Sequence, residues 1–331
     1  MKKLTFLFAI CILLLSCEKS NELSPGVINT EFNTKILDGY FIQSIAFDKL
    51  GNAWIGTFKQ GLIKYNAQGV TVYNSTNSMI ADTSVIYDLA IDSKNNVWIV
   101  CEGLIKYDGT NFTRYNSSNT PMPEDFVTSV EIDSKDNVWF SSCRFRQGGL
   151  VKYNGTDWTV YTPDNSDLPV HFVQSIAIDK NDNVWLALNE VVNDSYLAKI
   201  ANGQWTIYTS AALGFKPYYF GNIQLDSKNR LCGAVDYSLS GTAYNDGAQV
   251  FIFDGKTSEN PEFDKSKNVK FLTVDKHDNI WCGLDGGYAV FNGEKWTVEG
   301  SKFKENGVFA IEQSNDGKMW IGTGNGIYIN E

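Results

Sequence analysis

Ile176-Ala177-Ile178-Asp179-Lys180-Asn181-Asp182-Asn183-Val184-Trp185 is one of seven versions of a single phrase. The others begin at Ile45, Leu89, Val130, Ile223, Leu272 and Ile311, so successive copies start 39 to 49 residues apart. A period of that length marks a propeller blade. Around this copy, Phe172–Asp179 alternates apolar and polar residues, which predicts a strand. Lys180–Asn183 predicts a turn and Val184–Leu188 a second strand. In the preceding copy Gly149–Tyr153 and Trp158–Thr162 predict a third and fourth strand, joined by the hairpin pair Asn154-Gly155. Seven such periods predict an all-β chain, a seven-bladed β-propeller of four-stranded antiparallel blades. No segment beyond the N-terminal leader shows helical periodicity.

The repeated aromatic residues fall into columns. Trp54, Trp98, Trp139, Trp185, Trp281 and Trp320 share one place on the second strand. Tyr65, Tyr107, Tyr153, Phe253 and Phe291 share one on the third, and Phe112, Trp158, Trp205 and Trp296 one on the fourth. Blades splay outward from their axis, and large rings, each burying roughly 150–250 Å², fill the widening gaps. These columns are assigned to packing, not to ligand stacking. Asp48, Asp92, Asp133, Asp179, Asp226 and Asp275 each precede a turn. Their spacing lacks the terminal Glu of a calcium loop, whereas capping of turn amides accounts for the repetition.

The ring must also close. The last copy ends with Gly326–Asn330, a third strand. Val27–Asn33 has the spacing of the missing fourth strand, with Phe32 matched to Tyr115 and Tyr161. This segment is expected to complete blade seven and so remove an exposed sheet edge.

At the N-terminus Lys2 and Lys3 precede the apolar run Leu4–Leu15, a secretory leader too short to span a bilayer with margin. Leu14-Leu15-Ser16-Cys17 resembles the lipobox of bacterial lipoproteins. That resemblance implies a lipoprotein signal peptide over 1–17 with Cys17 lipidated, a polar tether over 18–26, and the propeller over 27–331. It implies a lipid-anchored protein of the cell envelope, periplasmic or on the outer-membrane surface.

The 28 Lys and Arg against 38 Asp and Glu leave a net charge of −10, and loss of Lys2 and Lys3 takes it to −12. Such a field repels polyphosphates, and no basic run exceeds two residues, which argues against a nucleic-acid partner. Cys101, Cys143, Cys232 and Cys282 stand at or just after the Trp position of four different blades. They are expected as buried free thiols, because packed sheets hold their backbones too far apart for a bridge.

The phrases Ile176–Trp185, Trp54-Ile55-Gly56-Thr57 and Gly61-Leu62-Ile63-Lys64-Tyr65-Asn66 resemble the two-component regulator propeller repeat. That family is abundant in Bacteroidetes-type bacteria, notably in periplasmic sensor halves of hybrid histidine kinases that detect glycan fragments. The resemblance covers residues 27–331. It departs from the sensor pattern in showing no membrane helix, linking sandwich or kinase after the propeller, and so implies a stand-alone lipoprotein. A more distant resemblance is to seven-bladed lyases of the streptogramin-inactivating type, which use a catalytic His with a metal-binding acidic residue. His171 and His277 are the two histidines of this chain, and His277 falls in a hairpin turn.

Strand order places the second-to-third-strand loops and the blade-to-blade connections on one face, and the hairpin turns on the other. The hairpin turns are short and uniform. The opposite loops vary: Ser142–Gly148, Leu188–Tyr196 and Val235–Ala248. Loops on a rigid scaffold collect binding residues. One column, Tyr40, Ser84, Asp125, His171, Tyr218, Lys267 and Asn306, is expected to rim the channel mouth there. The candidate ligand-binding set is Tyr40, Asp125, Arg144, Arg146, His171, Tyr218, Tyr219, Tyr237 and Lys267. Its mixed aromatic and polar chemistry suits a carbohydrate or a peptide. No catalytic residue, metal ligand or cofactor site is assigned. The expected function is a membrane-anchored extracytoplasmic binding module for glycan or peptide capture or sensing. Two alternatives stay open. One is a polysaccharide- or lactone-type lyase or hydrolase at the same mouth, resting on His171; the other is a scaffold for another envelope protein.

Overall fold

Seven four-stranded antiparallel sheets make up almost all of the computed structural model, which describes residues 28, 30–144, 147–190, 195–236, 250–263, 269–299, 303 and 307–330. Blade three shows the pattern: Val130–Ile132, Val138–Arg144, Gln147–Tyr153 and Trp158–Tyr161 pair in chain order. The first strands of neighbouring blades touch one another all round the ring, so they line its axis. Each of the seven gaps between blades holds one buried apolar cluster.

The Trp column fills those gaps from a fixed geometry. Trp139 stacks on Tyr161 with centroids 6.0 Å apart, carries the Lys152 ammonium 4.9 Å over its ring, and donates Nε1–H to Asp133 at 3.0 Å. Trp54 and Trp98 repeat this set. All six Trp side chains are buried, and burial of a ring this size is worth about 4 kcal/mol by area.

The carboxylates before the turns are capping groups. Asp133 accepts the amides of Lys135 and Asn137, the Asn137 side-chain amide and the Trp139 indole. Asp48, Asp92 and Asp275 do the same. In blade five, where Cys232 replaces Trp, Arg230 Nε supplies a donor to Asp226 at 2.6 Å. The fourth residue of each turn is left-handed: Asn95, Asp136, Asp182, Asn229 and Asp278 have φ of 60–63°. Asn and Asp tolerate that conformation. There Asp136 takes the amide and hydroxyl of Ser93, Asp182 those of Ser134, and Asp278 those of Ser227. Each of these pairs joins one blade to the next. The Ser93 and Ser134 donors hold the Asp136 and Asp182 carboxyls below their ordinary range.

Closure is as expected, with a shifted register. Phe32–Ile36 pairs antiparallel with Gly326–Asn330 and completes the sheet of Val308–Gln313, Met319–Thr323 and Gly326–Asn330. The strand lies C-terminal to the expected Val27–Asn33; Val27 and Asn29 are outside the described residues. Ile36 faces Ile327 as Tyr115 faces Leu104 and Tyr161 faces Leu150. Ile36 therefore holds the place expected for Phe32. Phe32 sits opposite Asn330, where Phe112 and Trp158 stand in their blades, and the irregularity between Phe32 and Thr34 turns it into the gap beside blade six. There it is 1% exposed, against Trp281, Tyr288 and Phe303. Gly326 explains part of the fit. At φ +96°, a Cβ there would stand 2.8 Å from the Ile36 carbonyl oxygen.

Two local expectations change. Ser210–Leu213 forms a single helical turn ended by left-handed Gly214, with Leu213 buried. Four residues are too few to register a helical period. Ser142–Gly148, expected as a loop, is mostly strand: its flanks extend as a ladder to the Arg144–Gln147 pair. Cys101, Cys143, Cys232 and Cys282 are free and buried.

Candidate functional site

The loop face brings together part of the expected set. Asp125 accepts the Ser117 amide at 2.7 Å. His171 Nδ1 lies 3.0 Å from the Gly148 carbonyl oxygen, so that nitrogen carries the proton and links blade four to blade three. Tyr218 is 38% exposed. Tyr219 donates its hydroxyl to Gln174 at 2.5 Å. Arg144 is exposed on its strand end. Tyr40 is half-buried, packed on the cluster between blades seven and one. Ser84, from the same expected column, is buried. Arg146, Tyr237 and Lys267 lie outside the described residues, as do Asn306 and Cys17.

His171 joins two blades from within the expected column, whereas the aromatic contacts between blades at this mouth are made one residue or more beyond it. Phe41 meets Phe309 at 4.6 Å, Phe126 meets Tyr87 at 6.0 Å, and Tyr219 meets Gln174. A shift of one residue moves a strand side chain to the other face of its sheet. Irregular pairing after Ile42, Val173, Val269 and Val308 makes that offset hard to place from periodicity.

Between blades two and three the loop face opens into a cleft of ≈ 230 Å³. Tyr87 and Phe126 contribute aromatic edges, Glu102 and Asp125 carboxylates, and Val85 and Cys101 the remaining apolar lining. Local pairing builds it. Glu102 bridges Phe126 through the backbone, and the Gly103 amide donates to the Asp125 carbonyl at 2.8 Å. At φ +83°, a Cβ on Gly103 would stand 2.5 Å from the Tyr115 carbonyl oxygen, so glycine lets the strand turn in here. Burial pushes the Cys101 thiol up to about 11, which leaves it protonated and weakly nucleophilic at neutral pH.

A second feature escaped sequence reasoning. Asp88, Glu131 and Glu312 stand on the first strands of blades two, three and seven. Burial raises Asp88 to about 6 and Glu312 to about 7; burial and then repulsion from Asp88 and Glu312 raise Glu131 to about 8. Blades three and seven are not neighbours, so the Glu312 charge acts on Glu131 across the axis. Asp88 is partly compensated by the Val130 amide at 3.0 Å and the Leu89 amide at 2.8 Å. The signal was present in the second residue of the repeated phrase. Ala46, Ala90 and Ala177 occupy that position in three blades and the uncharged Gln224 and Thr273 in two more, while Glu131 and Glu312 place a carboxyl there. Among the described residues no group of three or more His, Cys, Asp or Glu is placed to hold a metal ion.

A model of the two-component regulator propeller matches residues 302–325, in the last blade. That segment carries the two-component regulator propeller repeat. Among solved structures this propeller is similar to the domain described as the extracellular part of a hybrid two-component system, BT4673 of B. thetaiotaomicron. The TM-score is 0.69 at 16% identity, over 90% of this chain and 39% of that one. It is similar to a catalytically inactive virginiamycin B lyase from Staphylococcus aureus with quinupristin, with a TM-score of 0.67 at 13% identity, over 91% and 100% of the two chains. It is also similar to YCF48 bound to D1 peptide, with a TM-score of 0.64 at 12% identity, over 89% and 93%. At these identities the likeness is one of fold, and the propeller spans about 40% of the Bacteroides domain. No curated protein matches the sequence.

Proposed function

We propose that this propeller is a lipid-anchored extracytoplasmic binding module that captures or senses its ligand, a glycan or a peptide, through the loop face. The observation that carries this reading is the asymmetry of the two faces. On the hairpin face the repeated carboxylates are committed to turn amides, indoles and neighbouring serines. On the loop face Phe58, Tyr87, Phe126 and Tyr218 are 38–45% exposed, and a cleft opens between two of the blades that carry them, lined by Tyr87 and Phe126. Exposed aromatic groups next to polar ones in a concavity are the usual lining of a ligand site. The likeness to an extracellular domain of a two-component system and to a peptide-bound propeller supports use of the fold in this way.

A glycan and peptide array probed with the purified protein tests the reading. Capture of a defined ligand that Tyr218→Ala weakens and His277→Ala does not would support it. A ligand located on the hairpin face would refute it. The anchor is tested separately: Cys17→Ser should move the protein from the detergent phase to the aqueous phase, and a wild-type protein already aqueous would remove the lipid.

A further inference from the structure

We propose that the cleft between blades two and three takes the cationic side chain, lysine or arginine, of a peptide partner whose neighbouring apolar residues lie along an aromatic arc beside it. The proposal rests on the loop-face reading and narrows it to one ligand chemistry. The arc is continuous. Phe309, Phe41 and Phe58 pack with centroids 4.6 and 5.3 Å apart, Phe58 bridges Val85 through the backbone, and Tyr87 and Phe126 carry the line into blade three. These rings pack on one another yet leave large apolar edges in solvent, as a surface awaiting a partner does.

The arc ends at two carboxylates that no cation pairs with among the described residues. Glu102 is exposed, and its carboxylate makes no hydrogen bond or ion pair among the described residues. Asp125 gives one oxygen to the Ser117 amide, and its other oxygen has no partner among the described residues. Two cations stand nearby, and neither forms an ion pair with Glu102 or Asp125 among the described residues. Arg114 donates to the carbonyl oxygens of Glu102 and Met79, and the Lys59 ammonium lies 5.0 Å over the Phe58 ring. A ligand cation in the cleft beside Tyr87 and Phe126 gains from both carboxylates, while its methylene stem packs along the two rings. The net charge of −10 favours approach of a basic segment and opposes an acidic one. At ≈ 230 Å³ the cleft has room for an ammonium or guanidinium group with its last methylenes.

The test uses three fluorescently labelled tripeptides titrated against the full-length protein: acetyl-Phe-Lys-Phe-amide and its Arg and Glu counterparts. The Lys and Arg probes should bind roughly tenfold or more tightly than the Glu probe, and less tightly as salt is raised. The double variant Glu102→Gln, Asp125→Asn keeps an acceptor for the Ser117 amide and should lose about tenfold for the Lys probe with unchanged thermal unfolding. Tyr87→Ala should show a similar loss. Equal affinity for the Lys and Glu probes overturns the proposal. So does a Lys probe that fails to bind at about 1 mM, a concentration at which even a weak site with a Kd near that value would be half filled, or binding that ignores the double variant. A neutral oligosaccharide whose binding falls with Tyr218→Ala but not with the double variant overturns the cleft assignment and leaves the loop-face reading standing.

Discussion

The two faces of the ring are made by the same chain with the same period, yet they spend their polar groups in opposite ways. On the hairpin face Asp133 satisfies four donors at once, and Asp136 beside it ties blade two to blade three. On the loop face Glu102 makes no hydrogen bond or ion pair among the described residues, and Tyr87 and Phe126 keep their edges in solvent. A polar group that is fully committed stabilises the fold and has nothing left to offer a ligand. A group left uncommitted contributes little to stability and remains available. Mutations should therefore separate stability from binding according to face.

The largest effect should come from the closure, which neither face provides. Deletion of residues 28–36 removes a complete strand ladder and the buried Phe32, and should unfold the ring cooperatively. Deletion of 18–26 should leave the melting temperature unchanged, and equal losses for both deletions would contradict the pairing of Phe32–Ile36 with Gly326–Asn330. Phe32→Ala alone should cost about 3–5 kcal/mol in chemical denaturation.

Next in size is the hairpin face. Asp133→Ala strands two amides, an amide side chain and an indole with limited access to water, and should cost roughly 3 kcal/mol by urea titration. The comparison breaks if Tyr218→Ala costs as much, because an exposed side chain outside the packing columns should change stability by about 0.5 kcal/mol or less.

The axis should show itself through pH. Asp88, Glu312 and Glu131 have folded-state values raised to about 6, 7 and 8. A group raised in this way binds its proton more tightly in the folded chain, so the folded state is favoured at low pH. Stability should fall as pH rises from the unfolded carboxyl range through about 8, and then level off. Glu131→Gln should remove the uppermost part of that fall. A melting temperature flat from pH 5 to 9, or rising across it, would show that these carboxyls are not set against one another.

The smallest thermal effects belong to the loop face. His171→Ala and Tyr218→Ala should leave unfolding close to wild type while weakening ligand capture, and His277→Ala should change neither. Loss of binding with His277→Ala would reverse the assignment of faces.

The sequence by itself determined the repeat, the seven blades, the packing columns and the closing strand, because each rests on local periodicity sampled many times. Trp139 and Asp133 could be read correctly since Trp98 and Asp92 say the same thing. What repeats least was least legible. Phe32 stands at the place of Phe112 rather than that of Tyr115, because the closing strand carries no copy of the repeated phrase to fix its register. The cleft of Tyr87, Glu102, Asp125 and Phe126, and the placing of Glu131 and Glu312 around one axis, were decided only by the tertiary structure. Each joins residues from different blades, and their distance depends on how the blades are set around a common axis, a quantity that no local pattern contains.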